Sequence, residues 1–308
     1  MAARPLRVGY VHEHFSSPLL KFAAEDGGKT FALTGCPGGT GQLTAALAND
    51  EIDVAIALTD ALIAGIAKGA KHYNLVGSYV ASSLNWAVIA GRDTEYKSIQ
   101  DLRGTTIGIS RPGSGSQTMA GVMAMQQGWV NESGLPEAFE FKTCQDINGL
   151  IAAVNRGECS AFMWEWFTTK PRMDAGEVRF IGSVPTPWPS WLIAGSTDEA
   201  RAPAGHLRDF LATLTRHITA FQHEKDTDAA ATIAFIREHF EDQKEEDIQM
   251  WLNTVKYAKD CTAIDGKLVV DTLTTLEKAG VVERPPQGFD VLDFINKNVV
   301  RVTPTHSI

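Results

Sequence analysis

Short apolar runs, several of them followed by segments with helical spacing, dominate the first two thirds of the chain. Runs rich in β-branched and aliphatic residues, typical of buried strands, lie at residues 7–11, 30–34, 54–57, 75–80, 86–90, 105–109 and 161–163. Amphipathic helices are predicted at residues 17–25, 41–49 and 119–127, and from residue 60 onward. Strands that alternate with helices predict an α/β fold with parallel sheets and right-handed crossovers.

The pattern changes after Pro203, from which point helical spacing prevails. Helices are predicted at residues 207–223, 228–239, 245–257 and 268–279. In the third of these, Ile248, Trp251, Leu252 and Val255 recur three or four residues apart and form one apolar face. We therefore expect an all-helical C-terminal tail that packs on the first of two lobes.

The order of elements near the N-terminus recurs in the middle of the chain. Residues 106–109 correspond to residues 7–10, and residues 150–154 correspond to residues 43–47. The similarity is faint, but the order of the matching segments is kept. An internal repeat of this kind predicts two βα lobes of related topology.

Two turns rich in glycine and hydroxyl side chains each lead from a strand into a helix. Ser110–Thr118 reads SRPGSGSQT, and Cys36–Gly41 reads CPGGTG. Such turns bring unpaired backbone N–H groups and the positive end of a helix dipole together, which suits an anion or another acceptor-rich ligand. The simpler interpretation is that Gly113 and Gly115 only permit a tight turn. Neither segment matches the P-loop or the dinucleotide fingerprint, so no nucleotide cofactor is expected.

Composition and charge narrow the classes of function. The 308 residues suffice for two domains, and the 44% of hydrophobic residues suffice for a core. A net charge of −9 without a basic cluster argues against binding to nucleic acid or to an anionic membrane surface. The longest apolar stretch, residues 54–67, is too short to span a membrane.

The cysteines and the N-terminus bear on the cellular compartment. Cys36, Cys144, Cys159 and Cys261 are widely spaced and form no C-x-x-C motif, so we expect reduced thiols rather than a metal or redox site. A strand follows residues 1–5 directly, without an apolar signal segment. We expect a cytoplasmic protein; the alternative is a periplasmic mature form from which a signal has been removed.

Three segments resemble the type II periplasmic-binding-protein fold, and above all the NMT1/THI5-like substrate-binding proteins for sulfonates, nitrate and thiamine precursors. The first is the glycine-rich turn together with residues 42–55. The second, residues 98–116, contains DLRGTTIG, which is similar to the DLKGKxIG segment of that group. The third, residues 162–167, reads FMWEWF and is similar to the WEPF turn, with Trp166 where proline is usual. The resemblance extends over about residues 6–225.

The resemblance implies two lobes, joined by two crossings, with a ligand cleft between them. The first lobe would comprise residues 1–90 and 191–308, and the second would comprise residues 91–190. The crossings would fall near residues 90–92 and 185–191, where the prolines of the second segment suit a stiff connection. Ligands of open α/β sheets bind beyond the carboxyl ends of strands, so the loops that follow strands are the expected binding segments.

The predicted ligand-binding residues all lie in these loops or at the strand and helix ends beside them. They are Tyr10, His12, His14, Gly39, Thr40, Gly41, Thr59, Asp60, Asn85, Trp86, Ser114, Gly115, Ser116, Trp164, Glu165 and Trp188. The backbone and hydroxyl groups of the two turns would donate hydrogen bonds, and the tryptophans would stack on a ring.

Several candidates also have a purely structural interpretation. Tryptophan is more often packed in a core, and Trp191, which begins an apolar strand, is expected to be structural. Glu165 either pairs with a ligand amine or serves as a carboxylate at a helix N-terminus. His12 and His14 are expected to contact the ligand, because their loop should line the cleft, whereas a metal site there would lack a third ligand. Asp60 is most simply an N-cap.

These observations favour a soluble binding protein that closes two lobes on a small anionic or heterocyclic ligand. A sulfonate would suit the helix N-termini, and a thiamine pyrimidine precursor would suit both these and Glu165. One alternative is an enzyme of the thiamine-pyrimidine type on the same scaffold, although this chain lacks that group's clustered cysteines. Another is a ligand sensor or interaction protein that uses its acidic tail. No cofactor, metal or membrane insertion is expected, and no protein partner is identified.

Overall fold

Two mixed β-sheets, each flanked by helices, organise the chain in the computed structural model, which describes residues 4–240 and 243–303. In chain order the strands are β1 (Leu6–Tyr10), β2 (Phe31–Gly35), β3 (Val54–Leu58), β4 (Tyr73–Val80), β5 (Asn85–Gly91), β6 (Thr106–Ile109), β7 (Glu140–Thr143), β8 (Ala161–Glu165), β9 (Val178–Pro185), β10 (Trp191–Ser196), β11 (Ala263–Asp265) and β12 (Arg301–Thr303). The helices are α1 (Ser17–Asp26), α2 (Thr40–Ala48), α3 (Thr59–Ala67), α4 (Gly115–Gln126), α5 (Ile147–Asn155), α6 (Trp166–Asp174), α7 (Ala204–Thr227), α8 (Ala229–His239), α9 (Glu245–Thr254) and α10 (Gly266–Lys278). Within this described part, no helix is both long and apolar enough to cross a bilayer.

The two five-stranded sheets have the same architecture. The first has the order β2-β1-β3-β10-β4 and the second has the order β7-β6-β8-β5-β9. In each sheet the first three strands of this order are parallel to one another. The fourth is antiparallel to them, and it is β10 in the first sheet and β5 in the second. This correspondence confirms the two lobes of related topology that the internal repeat predicts.

The prediction of purely parallel sheets was wrong at one strand in each lobe. β10 runs antiparallel to β3 and β4, and β5 runs antiparallel to β8 and β9. Both strands follow directly after the chain has crossed from the other lobe, so each enters its sheet from the cleft side and runs in the opposite direction. Alternation of strands and helices along the sequence does not reveal such a crossing.

Two adjacent segments carry the chain between the lobes. The first is residues 81–84, earlier than the predicted 90–92, because the strand at residues 85–91 already belongs to the second sheet. The second is residues 186–190, in the proline-rich segment. The two segments are hydrogen-bonded to each other: Thr186 N–H donates to the Leu84 carbonyl at 2.9 Å, and Ser190 N–H donates to the Ser82 carbonyl at 3.0 Å. A paired hinge of this kind restricts the relative motion of the lobes to few directions.

The C-terminal tail, residues 204–303, packs on the first lobe and also reaches the second. α7 lies against α1, and α10 lies against α3, as the predicted packing on the first lobe requires. The tail is not all-helical, because β11 and β12 form a small parallel sheet of their own. At the other lobe, Lys244 Nζ lies 2.6 Å from Asp174 Oδ2 at the end of α6. The tail therefore bridges the two lobes.

Gly77 in β4 tests the packing of this tail against the first sheet. A Cβ atom there would lie 2.6 Å from the carbonyl oxygen of Cys261 and 2.8 Å from a methyl group of Leu211. We expect Gly77→Ala to lower the free energy of unfolding by about 2 kcal/mol, because the backbone of the tail would have to move. Gly205→Ala, in α7 with open space around it, is the control and should be neutral or slightly stabilising. Equal urea midpoints for the two variants would contradict this packing.

Candidate functional site

A small cavity lies between the lobes, at the carboxyl ends of strands from both sheets. Its volume is about 30 Å³, which is enough for one or two water molecules. The first lobe and the crossings contribute Val11, Glu13, Gly39, Thr40, Leu58, Leu84 and Trp191. The second lobe contributes Trp86, Ser110, Ser114, Gly115, Ser116, Trp164 and Glu165. The structure therefore represents a closed arrangement of the two lobes.

Two helices begin at this cavity, one from each lobe. α2 begins at Thr40 and α4 begins at Gly115, and neither has a side-chain cap. Among the described residues, no hydrogen-bond acceptor meets the backbone N–H groups of Thr40, Gly41, Gly115 and Ser116. These groups and the two helix dipoles make the adjoining space favourable for an electron-rich atom.

The two lobes come close together at the cavity, and this arrangement requires glycine at two positions. Gly39, the residue before α2, has a φ of +71°, a conformation that side chains with a Cβ rarely adopt. Gly115 lies so close to the first lobe that a Cβ atom would be 2.3 Å from Leu58 Cδ1. It would also lie 2.8 Å from the ring of Trp86. A side chain at residue 115 would thus hold the lobes apart.

Glu13 and Trp164 connect the lobes across the cavity. Trp164 Nε1–H donates a hydrogen bond of 2.7 Å to Glu13 Oε1, and both side chains are buried. Burial, assisted by the nearby Glu165 carboxylate, raises the pKa of Glu13 to about 8. Near neutral pH the Glu13 carboxyl group is therefore mostly protonated in this closed arrangement.

Glu165 lies beside Glu13 and is also the N-cap of α6. Its Oε2 atom accepts hydrogen bonds from Thr168 N–H at 2.7 Å and from Thr168 Oγ1 at 3.0 Å. Burial raises its pKa to about 7 despite these bonds. The interpretation of Glu165 as a carboxylate at a helix N-terminus is therefore confirmed, and the residue also lines the cavity. The cavity lining contains two carboxyl groups and no lysine, arginine or histidine.

Half of the predicted ligand-binding residues line this cavity. They are Gly39, Thr40, Trp86, Ser114, Gly115, Ser116, Trp164 and Glu165. Gly41 does not line this cavity; it lies against Arg111 of the second lobe, where a Cβ would be 3.1 Å from the Arg111 Cβ. Asn85 lines a second cavity, which also has Glu165 in its wall.

Of the residues predicted near the N-terminus, His12 and His14 contact the tail and, with Glu13, line a separate cavity of about 360 Å³ that second-lobe residues also line. His12 and His14 both pack on Phe240, with ring centroids 4.7 and 5.3 Å apart, and Tyr10 Oη lies 3.3 Å from His12 Nδ1. His14 is buried, and burial lowers its pKa to about 4. Among residues 4–240 and 243–303, no three His, Cys, Asp or Glu side chains group as metal ligands.

Asp60, Thr59 and Trp188 are buried beside the hinge. The prediction of Asp60 as an N-cap was wrong, because α3 starts at Thr59 and Asp60 is its second residue. The carboxylate of Asp60 is fully buried, so its pKa is raised to about 7. Thr59 N–H donates to the Ser190 carbonyl at 3.0 Å, and the Trp188 carbonyl accepts from Thr186 Oγ1 at 2.8 Å. In the closed arrangement these groups support the hinge rather than line the cavity.

Sequence reasoning missed Glu13, and it assigned Trp191 to structure alone. Glu13 stands between the two histidines that were selected, in a loop already expected at the cleft, so its position was a usable signal. Trp191 is the first residue of β10, and it lines the cavity. A larger groove of about 680 Å³ also lies between the lobes, with α2 and α3 of the first lobe on one side and α4 and residues 131–141 of the second lobe on the other.

The two mixed sheets, the paired crossings and the interlobe cavity define a protein of the periplasmic-binding-protein fold. A family model of Ca3427-like periplasmic binding proteins matches residues 86–184. The structure of the Candida albicans CA3427 gene product is 30% identical, covers 97% of this chain and 98% of its own, and has a TM-score of 0.84. It is described as defining a new family with the generic periplasmic binding protein fold, and the present chain belongs to that family.

More distant structures share the fold. The alkanesulfonate-binding protein SsuA of Xanthomonas axonopodis pv. citri, bound to MOPS, is 15% identical, covers 96% of this chain and 99% of its own, and has a TM-score of 0.72. The aliphatic sulphonate binding protein SsuA of Escherichia coli is also 15% identical, covers 99% of this chain and 96% of its own, and has a TM-score of 0.62. No curated protein sequence matches the chain.

Proposed function

We propose that this protein binds a small organic solute between its lobes and closes on it by a hinge motion. The observation that carries this proposal is the convergence of two uncapped helix N-termini, one from each lobe, on a cavity that the Glu13–Trp164 hydrogen bond closes. A ligand that contacts both lobes stabilises the closed arrangement by its differential affinity. The fold and its sulfonate-binding neighbours support this solute-binding role.

The two carboxyl groups at the cavity favour a ligand with an amine. Glu13 and Glu165 accept hydrogen bonds from an amino group, and the backbone N–H groups of α2 and α4 meet an electron-rich atom of the same molecule. An aminopyrimidine, such as a thiamine pyrimidine precursor, has both features. Thiamine precursors are also among the ligands that the resemblance to NMT1/THI5-like proteins implies. A sulfonate would meet the same N–H groups but would lie beside two carboxyl groups, so it requires both to be protonated.

We further propose that binding takes place in the cytoplasm. All four cysteines are free thiols, although Cys144 is only partly buried. Unpaired cysteines are typical of proteins from reducing compartments. In that compartment the protein would sequester or sense its ligand rather than deliver it to an importer from outside.

A thermal-shift screen tests the solute-binding role. The probes are benzylamine, aminopyrimidines, thiamine, flavins, nitrate, small carboxylates and benzenesulfonate. At a hundred times the dissociation constant, a probe that binds only the folded state should raise the melting temperature by about 5 °C. Ser114→Ala and Trp164→Phe should lose at least half of this shift, because both alter the wall that the second lobe contributes to the cavity.

Trp129→Phe is the matched control, since Trp129 is also a buried tryptophan of the second lobe but lies away from the cavity. It should keep the full shift. A panel without any shift, or shifts that Trp164→Phe and Trp129→Phe reduce equally, would overturn the cleft as the ligand site.

A further inference from the structure

A second cavity also has Glu165 in its wall, whereas Glu13 does not line it. Its volume is about 240 Å³, and its walls include Phe15, Asn85, Glu165, Trp166, Met250 and Trp251. We refer to it as the aromatic compartment. Glu165 is the one residue that lines both this compartment and the 30 Å³ cavity, so the two spaces adjoin at this residue.

The aromatic compartment is built from three parts of the chain. Phe15 comes from the first lobe, Trp166 comes from the second lobe, and Trp251 comes from α9 of the tail. The rings are held at fixed angles, because Phe15 meets Trp251 edge-on at 5.7 Å and Trp166 meets Phe167 edge-on at 4.9 Å. Ring walls of this kind suit a flat aromatic group.

Two residues of the compartment wall carry polar side-chain groups without a hydrogen-bond partner in the described part of the chain. Trp251 is 1% exposed, and its indole N–H has no hydrogen-bond partner among residues 4–240 and 243–303. A buried donor without a partner is costly, and an acceptor on a bound ligand would satisfy it. The side chain of Asn85, which also lines the compartment, makes no hydrogen bond within the described part of the chain.

The sizes of the two spaces set limits on the ligand. The 30 Å³ cavity has room for an amino group, whereas a six-membered ring is several times larger than a water molecule. The 240 Å³ compartment has room for such a ring and is also lined by Glu165. A molecule with one ring and one amine can therefore occupy both spaces, provided that the Glu165 side chain shifts aside at its contact with the amine.

We propose that the C-terminal tail forms part of the ligand site, and that the ligand is a small amine with one aromatic ring. The ring lies in the aromatic compartment between Phe15, Trp166 and Trp251, and the amine lies at Glu165 and Glu13. This inference rests on the proposed solute-binding function. It adds the class of ligand and assigns to α9 a role in specificity.

Methionine methyl NMR with benzylamine as the probe locates the ring directly. Met250 lies at the rim of the compartment, half exposed, whereas Met123 is buried in α4 and lines neither space. Ring currents from the probe should shift the Met250 methyl resonance and leave that of Met123 unchanged. Met250→Leu assigns the resonance. Methylamine, which has the amine but no ring, should bind at least tenfold more weakly.

Calorimetry on Trp251→Phe tests the unpartnered indole N–H with 4-amino-5-hydroxymethyl-2-methylpyrimidine, whose ring nitrogens are acceptors. We expect about tenfold weaker binding in Trp251→Phe and unchanged binding in the control Trp129→Phe. One outcome would overturn the inference and leave the proposed function intact. In that outcome Trp164→Phe abolishes binding, but the probe does not shift the Met250 resonance and Trp251→Phe binds as tightly as the wild type. If no probe of the full panel binds, the proposed function fails and this inference fails with it.

Discussion

Glu13→Gln should raise the free energy of unfolding at pH 8 by about 3 kcal/mol. The pKa of Glu13 is raised from its ordinary 4.5 to about 8, mainly by burial and then by the Glu165 carboxylate. Each unit of such a shift corresponds to about 1.4 kcal/mol, and the lower figure of 3 kcal/mol allows for the coupling between the two carboxyl groups. Glutamine keeps an oxygen for the 2.7 Å bond from Trp164 Nε1–H and carries no charge.

The sign of the pH dependence follows from the direction of this shift. Because the folded protein holds the Glu13 proton more tightly than the unfolded chain, its contribution to stability is fully present below about pH 4.5 and is lost as the pH rises through about 8. Wild-type stability should therefore decline between pH 5 and pH 9. The decline should be shallower in Glu13→Gln, with the residual slope due to Glu165 and Asp60, whose pKa values are both about 7.

Urea denaturation at pH 5, 7 and 9 measures this effect, and Glu158→Gln is its control. Glu158 is an exposed glutamate of the second lobe whose pKa is lowered to about 2 by Arg156 and Lys142. Its contribution is lost only as the pH falls toward 2, so Glu158→Gln should run parallel to the wild type from pH 5 to pH 9. If Glu13→Gln also ran parallel to the wild type, Glu13 would not be buried as the structure describes.

The sequence was most informative where local pattern and global topology coincide. Both glycine-rich turns follow a strand at the carboxyl edge of its sheet, so the rule for open α/β sheets places them together without knowledge of the tertiary structure. The structure brings the starts of α2 and α4 to one cavity. The strand and helix spacing likewise predicted most elements, because burial of one face leaves a period in the sequence.

The sequence could not predict contacts that depend on distant segments meeting. Glu13 and Trp164 are 151 residues apart, and only the closed arrangement of the lobes turns an ordinary loop glutamate into a buried hydrogen-bond acceptor. The position of the first crossing was missed for a related reason, since β5 has the same apolar pattern in either sheet. The sequence could not predict that α9 lines a cavity near the cleft, because the spacing around Trp251 is that of a core residue in an amphipathic helix. Trp251 is indeed buried in this way.

The affinity for benzylamine should rise about five-hundredfold between pH 6 and pH 8. An ammonium group gains most from ionised carboxylates, and Glu13 and Glu165, with pKa values of about 8 and 7, must release protons when it binds. Each proton released on binding increases the affinity about tenfold per pH unit below the pKa of the group that releases it. Titration calorimetry at pH 6, 7 and 8 in buffers of different ionisation enthalpy gives both the affinity and the number of protons released.

The same titration distinguishes an amine ligand from an anionic one, because their pH dependences have opposite signs. Benzenesulfonate would approach the N–H groups of Thr40 and Gly115 next to Glu13, so ionisation of that carboxyl group repels it and its affinity should fall as the pH rises. Glu13→Gln should flatten the dependence for either probe and should weaken benzylamine most at pH 8. If the affinity of the wild type for benzylamine fell as the pH rose, the ammonium group could not be paired with these carboxylates. The amine would then not be the group that the protein recognises.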